Sequence, residues 1–228
     1  NESSAFAVAK ARQLVEEARK PNAPLEDISY CWEAIGHDAI PIITPLMDDP
    51  NPDISYAAAR AAAFAGDLGA QDVLLRIAQT PKNRFQLNAV RTLGELPSSP
   101  EVSLKIRGLL DSPDTLVRIE AYRMLAKNHD SAIFTHVVAE GNEKFALDIV
   151  DSKGPPLIYA TRTGIPRIAV IGAKPSLISP VLFTALDNEL TITTVDKNIV
   201  RIYYRGQELP NPVDIKSRPD VAQIIARL

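Results

Sequence analysis

His37, His129 and His136 are the three histidines of the chain, and imidazole chemistry would have to run through them. His129-Asp130 could pair a base with an orienting carboxylate, with His136 seven positions further on. A metal site would need two ligands on one face and a third from elsewhere, and the single cysteine, Cys31, gives no support. Exposed polar histidines are the plainer expectation. Asp48-Asp49 and Asp53 crowd a turn where helix capping already employs them. Gly172-Ala173-Lys174-Pro175-Ser176 resembles a phosphate loop superficially, but it lacks the upstream glycine, and Pro175 removes a backbone donor. No G-x-S-x-G, H-E-x-x-H or Walker pattern occurs. The expectation is a chain with no catalytic set, no cofactor and no metal.

Two groups of residues could serve binding instead. Arg60, Arg91 and Arg123 recur at matching positions, two residues after Ala58, Ala89 and Ala121. On stacked helices they would form a basic column open to an anionic partner. The plainer alternative is a solvated helix face whose alkyl stems cover apolar neighbours. Arg201, Tyr203 and Arg205 alternate along a strand and could share one wet face. That face could hold a protein through Tyr and Arg anchors, stack on nucleic-acid bases, or simply stabilise the sheet.

The elements that would position these residues follow from a repeat. Pro50, Pro81 and Pro113 lie 31 and 32 residues apart, a period that means stacked supersecondary units. Before each turn comes a short apolar helix, expected at Ile40–Met47, Gln71–Ala78 and Val102–Leu110. After it comes a second helix carrying Ile54, Ala58 and Ala62; Phe85, Ala89 and Leu93; or Val117, Ala121 and Leu125. Steps of four place each trio on one stripe, and the central alanine allows close helix approach. Proline ends the first helix, and Asp, Asn or Thr in the turn can cap the second.

These units resemble the HEAT repeat family, whose second helix reads roughly V-R-x-x-A-x-x-x-L. Val117-Arg118 through Leu125 fits best, whereas Ser55 and Gln86 stand where the family arginine is expected. The resemblance implies an α-solenoid of helix pairs. An atypical first unit is expected from Ala5–Arg19, burying Phe6, Ala9, Leu14 and Ala18, and from Asp27–Ile35, with Cys31 as a small core residue.

The pattern changes after Asn128. His129–Val138 is read as a continuing helix and Glu140–Glu143 as a loop. Gly154-Pro155-Pro156 then introduces strands at Leu157–Thr161, Arg167–Ile171, Val181–Ala185, Leu190–Val195 and Ile199–Arg205. Arg167–Ile171 is apolar on both faces and reads as the central strand. Tight turns are expected at Arg162-Thr163-Gly164, Asp187-Asn188 and Asp196-Lys197-Asn198. The sum is an α+β chain: an N-terminal HEAT-like α-solenoid over residues 1–140, then a small antiparallel β module over 141–228, covered by a helix at Asp220–Leu228.

Composition narrows the classes. Hydrophobic residues make up 46% and charged residues 23%, an ordinary balance. Net charge is −3, divided into −6 over residues 1–150 and +3 over 151–228, which disfavours nucleic acid as the main partner. No apolar run approaches the roughly 20 residues of a membrane helix.

Leu116–Leu125, Gly154-Pro155-Pro156-Leu157, Pro166–Gly172 and Pro219-Asp220-Val221-Ala222-Gln223 form a succession that resembles the C-terminal part of bacterial flagellar basal-body P-ring-like proteins. The resemblance covers roughly residues 50–228. It implies the tail of a longer cell-envelope protein, periplasmic or envelope-bound, without the P-ring-type region itself. The expected function is a non-enzymatic scaffold holding protein partners, with self-association as one option. The alternatives are a HEAT-like enzyme, such as a lyase or glycosylase, and weak nucleic-acid binding through the β module.

Overall fold

A computed structural model describes residues 2–140, 143–206 and 211–227. The chain is α+β and divides into two units, Asn1–Asp130 and Ser131–Leu228. The division falls ten residues before the expected boundary, because the stretch read as a continuing helix is a strand, Ile133–Glu140.

Unit 1 is helical. Its elements are α1 (Glu2–Ala18), α2 (Leu25–Ile35), α3 (Ile40–Ile43) between 3-10 turns at Gly36–Ala39 and Thr44–Asp48, α4 (Pro52–Phe64), α5 (Ala70–Ala78), α6 (Gln86–Glu95), α7 (Pro100–Arg107) with a 3-10 turn at Gly108–Asp111, and α8 (Thr115–Lys127). The expected helix Ile40–Met47 breaks after Ile43, since Pro45 has no N–H to continue the ladder. The caps are those the turn residues offer. Asn51 Oδ1 accepts from Asp53 N–H at 3.0 Å, and Asp114 Oδ1 accepts from Leu116 N–H at 2.8 Å. Asn83 Oδ1 accepts from Phe85 N–H at 2.8 Å at the entry to α6.

The predicted stripes face inward except at Phe85, which is half-buried just before α6. Ala58, Ala62, Ala89 and Ala121 are wholly buried, with Ile54, Leu93, Val117 and Leu125 nearly so. Helix α2 packs on α4, α4 on α6 and α6 on α8, while α1, α5 and α7 back α2, α6 and α8. A side chain at one repeated position ties each second helix to the segment before it. Ser55 Oγ donates to the Met47 carbonyl at 2.6 Å, Gln86 Nε2 to Ala78 at 2.9 Å and Arg118 Nε to Leu110 at 2.9 Å, each reaching back eight residues. Three chemically different residues thus make one bond, and all three are buried.

The first helix pair departs from the expected faces. Trp32, not Cys31, fills the core, with its indole N–H on the Ala11 carbonyl at 3.3 Å. Cys31 is exposed. Burying the large indole turns α2 so that the adjacent thiol points outward. In α1 the buried residues are Ala11, Leu14 and Ala18, and Phe6 is 76% exposed. Ala9 is exposed as well.

Unit 2 is β-rich. Strands β1 (Ile133–Glu140), β2 (Glu143–Val150), β3 (Leu157–Thr161) and β4 (Arg167–Ile171) form one sheet in the order β1-β2-β4-β3. Strands β5 (Leu182–Ala185), β6 (Leu190–Asp196), β7 (Ile199–Tyr204) and β8 (Val213–Ser217) form a second in sequence order. The expectation of one antiparallel meander holds for the second sheet only, since β2 and β4 pair parallel. After β2 the chain passes the central slot, forms β3 at the edge and returns through it as β4. Strand β4, apolar on both faces, is the one suited to that slot; Ala169 and Ile171 are wholly buried.

Buried Asp148 on β2 joins three strands of the first sheet. It accepts from Thr135 Oγ1 at 2.6 Å and from Arg167 Nη1 at 2.7 Å. On the second sheet Ile192, Val200 and Ile202 form a core with Ile224 of α9 (Val221–Ile225). The helix expected to Leu228 thus covers this sheet, capped by Asp220, whose Oδ1 accepts from Gln223 N–H at 2.9 Å. Residues 141 and 142 of the expected loop, and Leu228, lie outside the described residues.

Candidate functional site

Arg60, Arg91 and Arg123 come together along a single groove of about 820 Å³ in unit 1. Residues of α2, α4, α6 and α8 line it, and the recurrence in α4, α6 and α8 puts an arginine at the same flank of each. The arginines do not form a simple basic column. Each is engaged by a carboxylate from a neighbouring helix or its own.

Arg60 on α4 is the most fixed of the three. Its Nη1 lies 3.0 Å from Glu33 Oε2 and 3.2 Å from Ser29 Oγ on α2. Its guanidinium sits 4.2 Å from the Tyr30 ring centre and 4.8 Å from that of Phe64. Flanked by two rings and a carboxylate, it stiffens the wall of the groove. At the other end, Arg91 Nε on α6 and Arg123 Nη1 on α8 both approach Glu120 Oε1, at 3.1 and 3.2 Å. Glu120 is 11% exposed, whereas the two arginine side chains are 53% and 54% exposed.

Between these ends, Tyr56 stacks on Phe85 with ring centres 4.3 Å apart. Arg84 lies over the Phe85 ring at 4.8 Å and pairs with Asp53. Burial pushes the Tyr56 phenol above its ordinary value, against the opposing hydrogen bond to Thr92 and the charge of Arg60. The phenol therefore keeps its proton at neutral pH and offers no base. Lys127 donates to the Gly94 carbonyl at 2.8 Å beside Glu95.

The carboxylates Glu33, Glu95 and Glu120 escaped the sequence analysis, and Asp53, expected as a capping residue, pairs with Arg84 while Asn51 makes the cap. Their signal is charge spacing. Asp53 and Arg84, or Glu95 and Lys127, stand one repeat apart with opposite sign, and Glu120 stands three before Arg123 on its own helix.

The second group is only partly united. Arg201 forms a two-pronged pair with Asp214 across β7 and β8, at 2.7 and 2.5 Å. That bond lowers the Asp214 pKa and raises that of Arg201. Tyr203 is half-buried beside Arg201, and Arg205 is exposed just past the end of β7, so the expected row ends at its third member.

The candidate acid–base pair does not form. Asp130 takes a two-pronged bond from Arg107, at 2.8 and 3.1 Å, and leaves His129 exposed. His136 is exposed on β1, edge-on to Phe134 at 4.6 Å. Among the described residues no three of His, Cys, Asp and Glu gather as a metal site. Gly172–Ser176 is a strand exit: Pro175 accepts from Val221 N–H at 2.9 Å, and Ser176 bridges to Asp220. Among the described residues no helix is long and apolar enough to cross a membrane. No family model, curated protein or solved structure matches this chain.

Proposed function

We propose that unit 1 is a HEAT-like α-solenoid and that its groove docks an extended segment of a protein partner without chemical turnover. The observation that carries this reading is the groove itself, about 820 Å³ over the second helices of successive pairs. The shared eight-residue tie at Ser55, Gln86 and Arg118 supports equivalence of the units. Catalytic sites hold acids and bases at shifted pKa values, free to take a proton. Here Asp53, Glu95 and Glu120 face cations, and Tyr56 keeps its proton, which favours holding over turnover.

The outward face around Arg201, Tyr203 and Arg205 is the second docking surface in this scheme. The succession of motifs that resembles P-ring-like tails supports a place within a larger cell-envelope protein. Blocking the groove tests the docking role. Asn88 lines it and is exposed, so Asn88→Trp should abolish co-purification of a protein partner while leaving the thermal transition in place. Undiminished co-purification, or a bound small molecule displaced by the new indole, would contradict the reading.

A further inference from the structure

We infer that the segment held in the groove is acidic, and that its carboxylates bridge Arg91 and Arg123. This rests on the docking role proposed above and names the chemistry the groove accepts.

Arg91 and Arg123 share one carboxylate. Both approach Glu120 Oε1, at 3.1 and 3.2 Å, so the three side chains together carry one positive charge. Glu120 lies beneath, 11% exposed, under arginines that are 53% and 54% exposed. A guanidinium has five N–H donors in a planar fork. Arg91 spends Nε on Glu120, and Arg123 spends Nη1. The other edges of the two forks are available to a second carboxylate, and paired bonds of this kind are the strong ones.

The distribution of charge points the same way. Residues 1–130 hold 14 Lys and Arg against 18 Asp and Glu, a net of −4. Five of those cations line the groove, against four of the anions. With Glu33 lying 3.0 Å from Arg60, the groove is close to neutral on an acidic unit, and its excess positive charge sits where Arg91 and Arg123 share Glu120. An acidic segment is repelled elsewhere on unit 1 and guided here.

In the same groove Phe85 is half-buried, stacked on buried Tyr56 and with Arg84 over its ring, and it is the apolar surface nearest these cations that a segment could touch. A nucleic acid fits less well, since its charge is continuous. Asp53 and Glu95 would face phosphates wherever the strand ran past them.

The test uses the full chain and a fluorescein-labelled peptide of repeated aspartate–phenylalanine–serine units, read by anisotropy. The peptide should bind, and its asparagine counterpart should bind at least about tenfold more weakly, as expected for losing charge-assisted hydrogen bonds. Removing both guanidiniums in R91Q/R123Q should cost a similar factor. Glu120→Gln should act in the opposite direction and tighten binding, because the amide oxygen still accepts from the arginines while the cluster's net charge rises from one to two. This sign reversal is read even where the double variant fails to fold. Equal binding of the asparagine peptide, lost in Asn88→Trp, would overturn the acidic preference and leave the docking role standing. Absence of any binding sensitive to Asn88→Trp would overturn both. Preference for oligothymidylate over the peptide would replace the acidic segment with nucleic acid.

Discussion

Arg118 donates its Nε–H to the carbonyl oxygen of Leu110, eight residues back and 2.9 Å away. Gln86 and Ser55 make the same bond at the same offset with different functional groups. What the repeat preserves is therefore a donor at that position and not a residue type. The bond satisfies a buried carbonyl at the end of the preceding helical segment. Leaving such a carbonyl unpaired costs about 1–3 kcal/mol. Gln86→Leu keeps the bulk and removes the donor, so it should destabilise the chain by about that amount in urea unfolding. A change within experimental error would show that the tie is incidental to the stack.

Cys31 and Trp32 are neighbours with opposite environments, one exposed and one wholly buried. Cys31 should react with a thiol reagent in native buffer as fast as after unfolding. Trp32 is the single tryptophan of the chain. Its emission should be blue-shifted in the native state, and Trp32→Ala should cost about 3–5 kcal/mol. A native thiol protected from the reagent would place Cys31 in the core and reverse the assignment of faces on α2.

The pair Arg201–Asp214 makes a pH prediction for unit 2. Its two-pronged bond holds the Asp214 carboxyl below the ordinary aspartate range. A carboxyl whose folded pKa lies below its unfolded value stabilises the fold above the unfolded pKa. That contribution is lost as pH falls through the folded pKa. The carboxyl resonance of Asp214 should therefore titrate at lower pH than a free aspartate, and Arg201→Gln should move it upward. An unmoved titration in that variant would remove Arg201 as the cause.

Much of unit 1 was legible because its determinants are local. A proline breaks a helix, an Asn or Asp caps the next, and a four-residue step makes a stripe. Strands β1 and β2 were not legible for the opposite reason. Asp148 interrupts the apolar pattern of β2, and it is tolerated in the interior because Thr135 and Arg167, distant in sequence, take its oxygens. Nothing local shows that compensation. Strand β1 alternates poorly, with Phe134 and Val137 both exposed. The groove was half legible. The spacing of Arg60, Arg91 and Arg123 placed them along one line, whereas the carboxylates that hold them come from a period away or a helical turn before. The Trp32 and Cys31 exchange reflects packing against α1, which a single helix pattern does not contain.

The central claim is that the groove of unit 1 holds a protein segment, and site-specific photocrosslinking in living cells tests it most directly. A benzophenone amino acid replaces Asn88 inside the groove, and, as the control, Leu104, which is 66% exposed on α7 and outside it. The account predicts a discrete protein adduct from position 88, none of the same mass from position 104, and a crosslinked segment rich in Asp and Glu. Adducts of equal yield from both positions, or none from position 88, would contradict it.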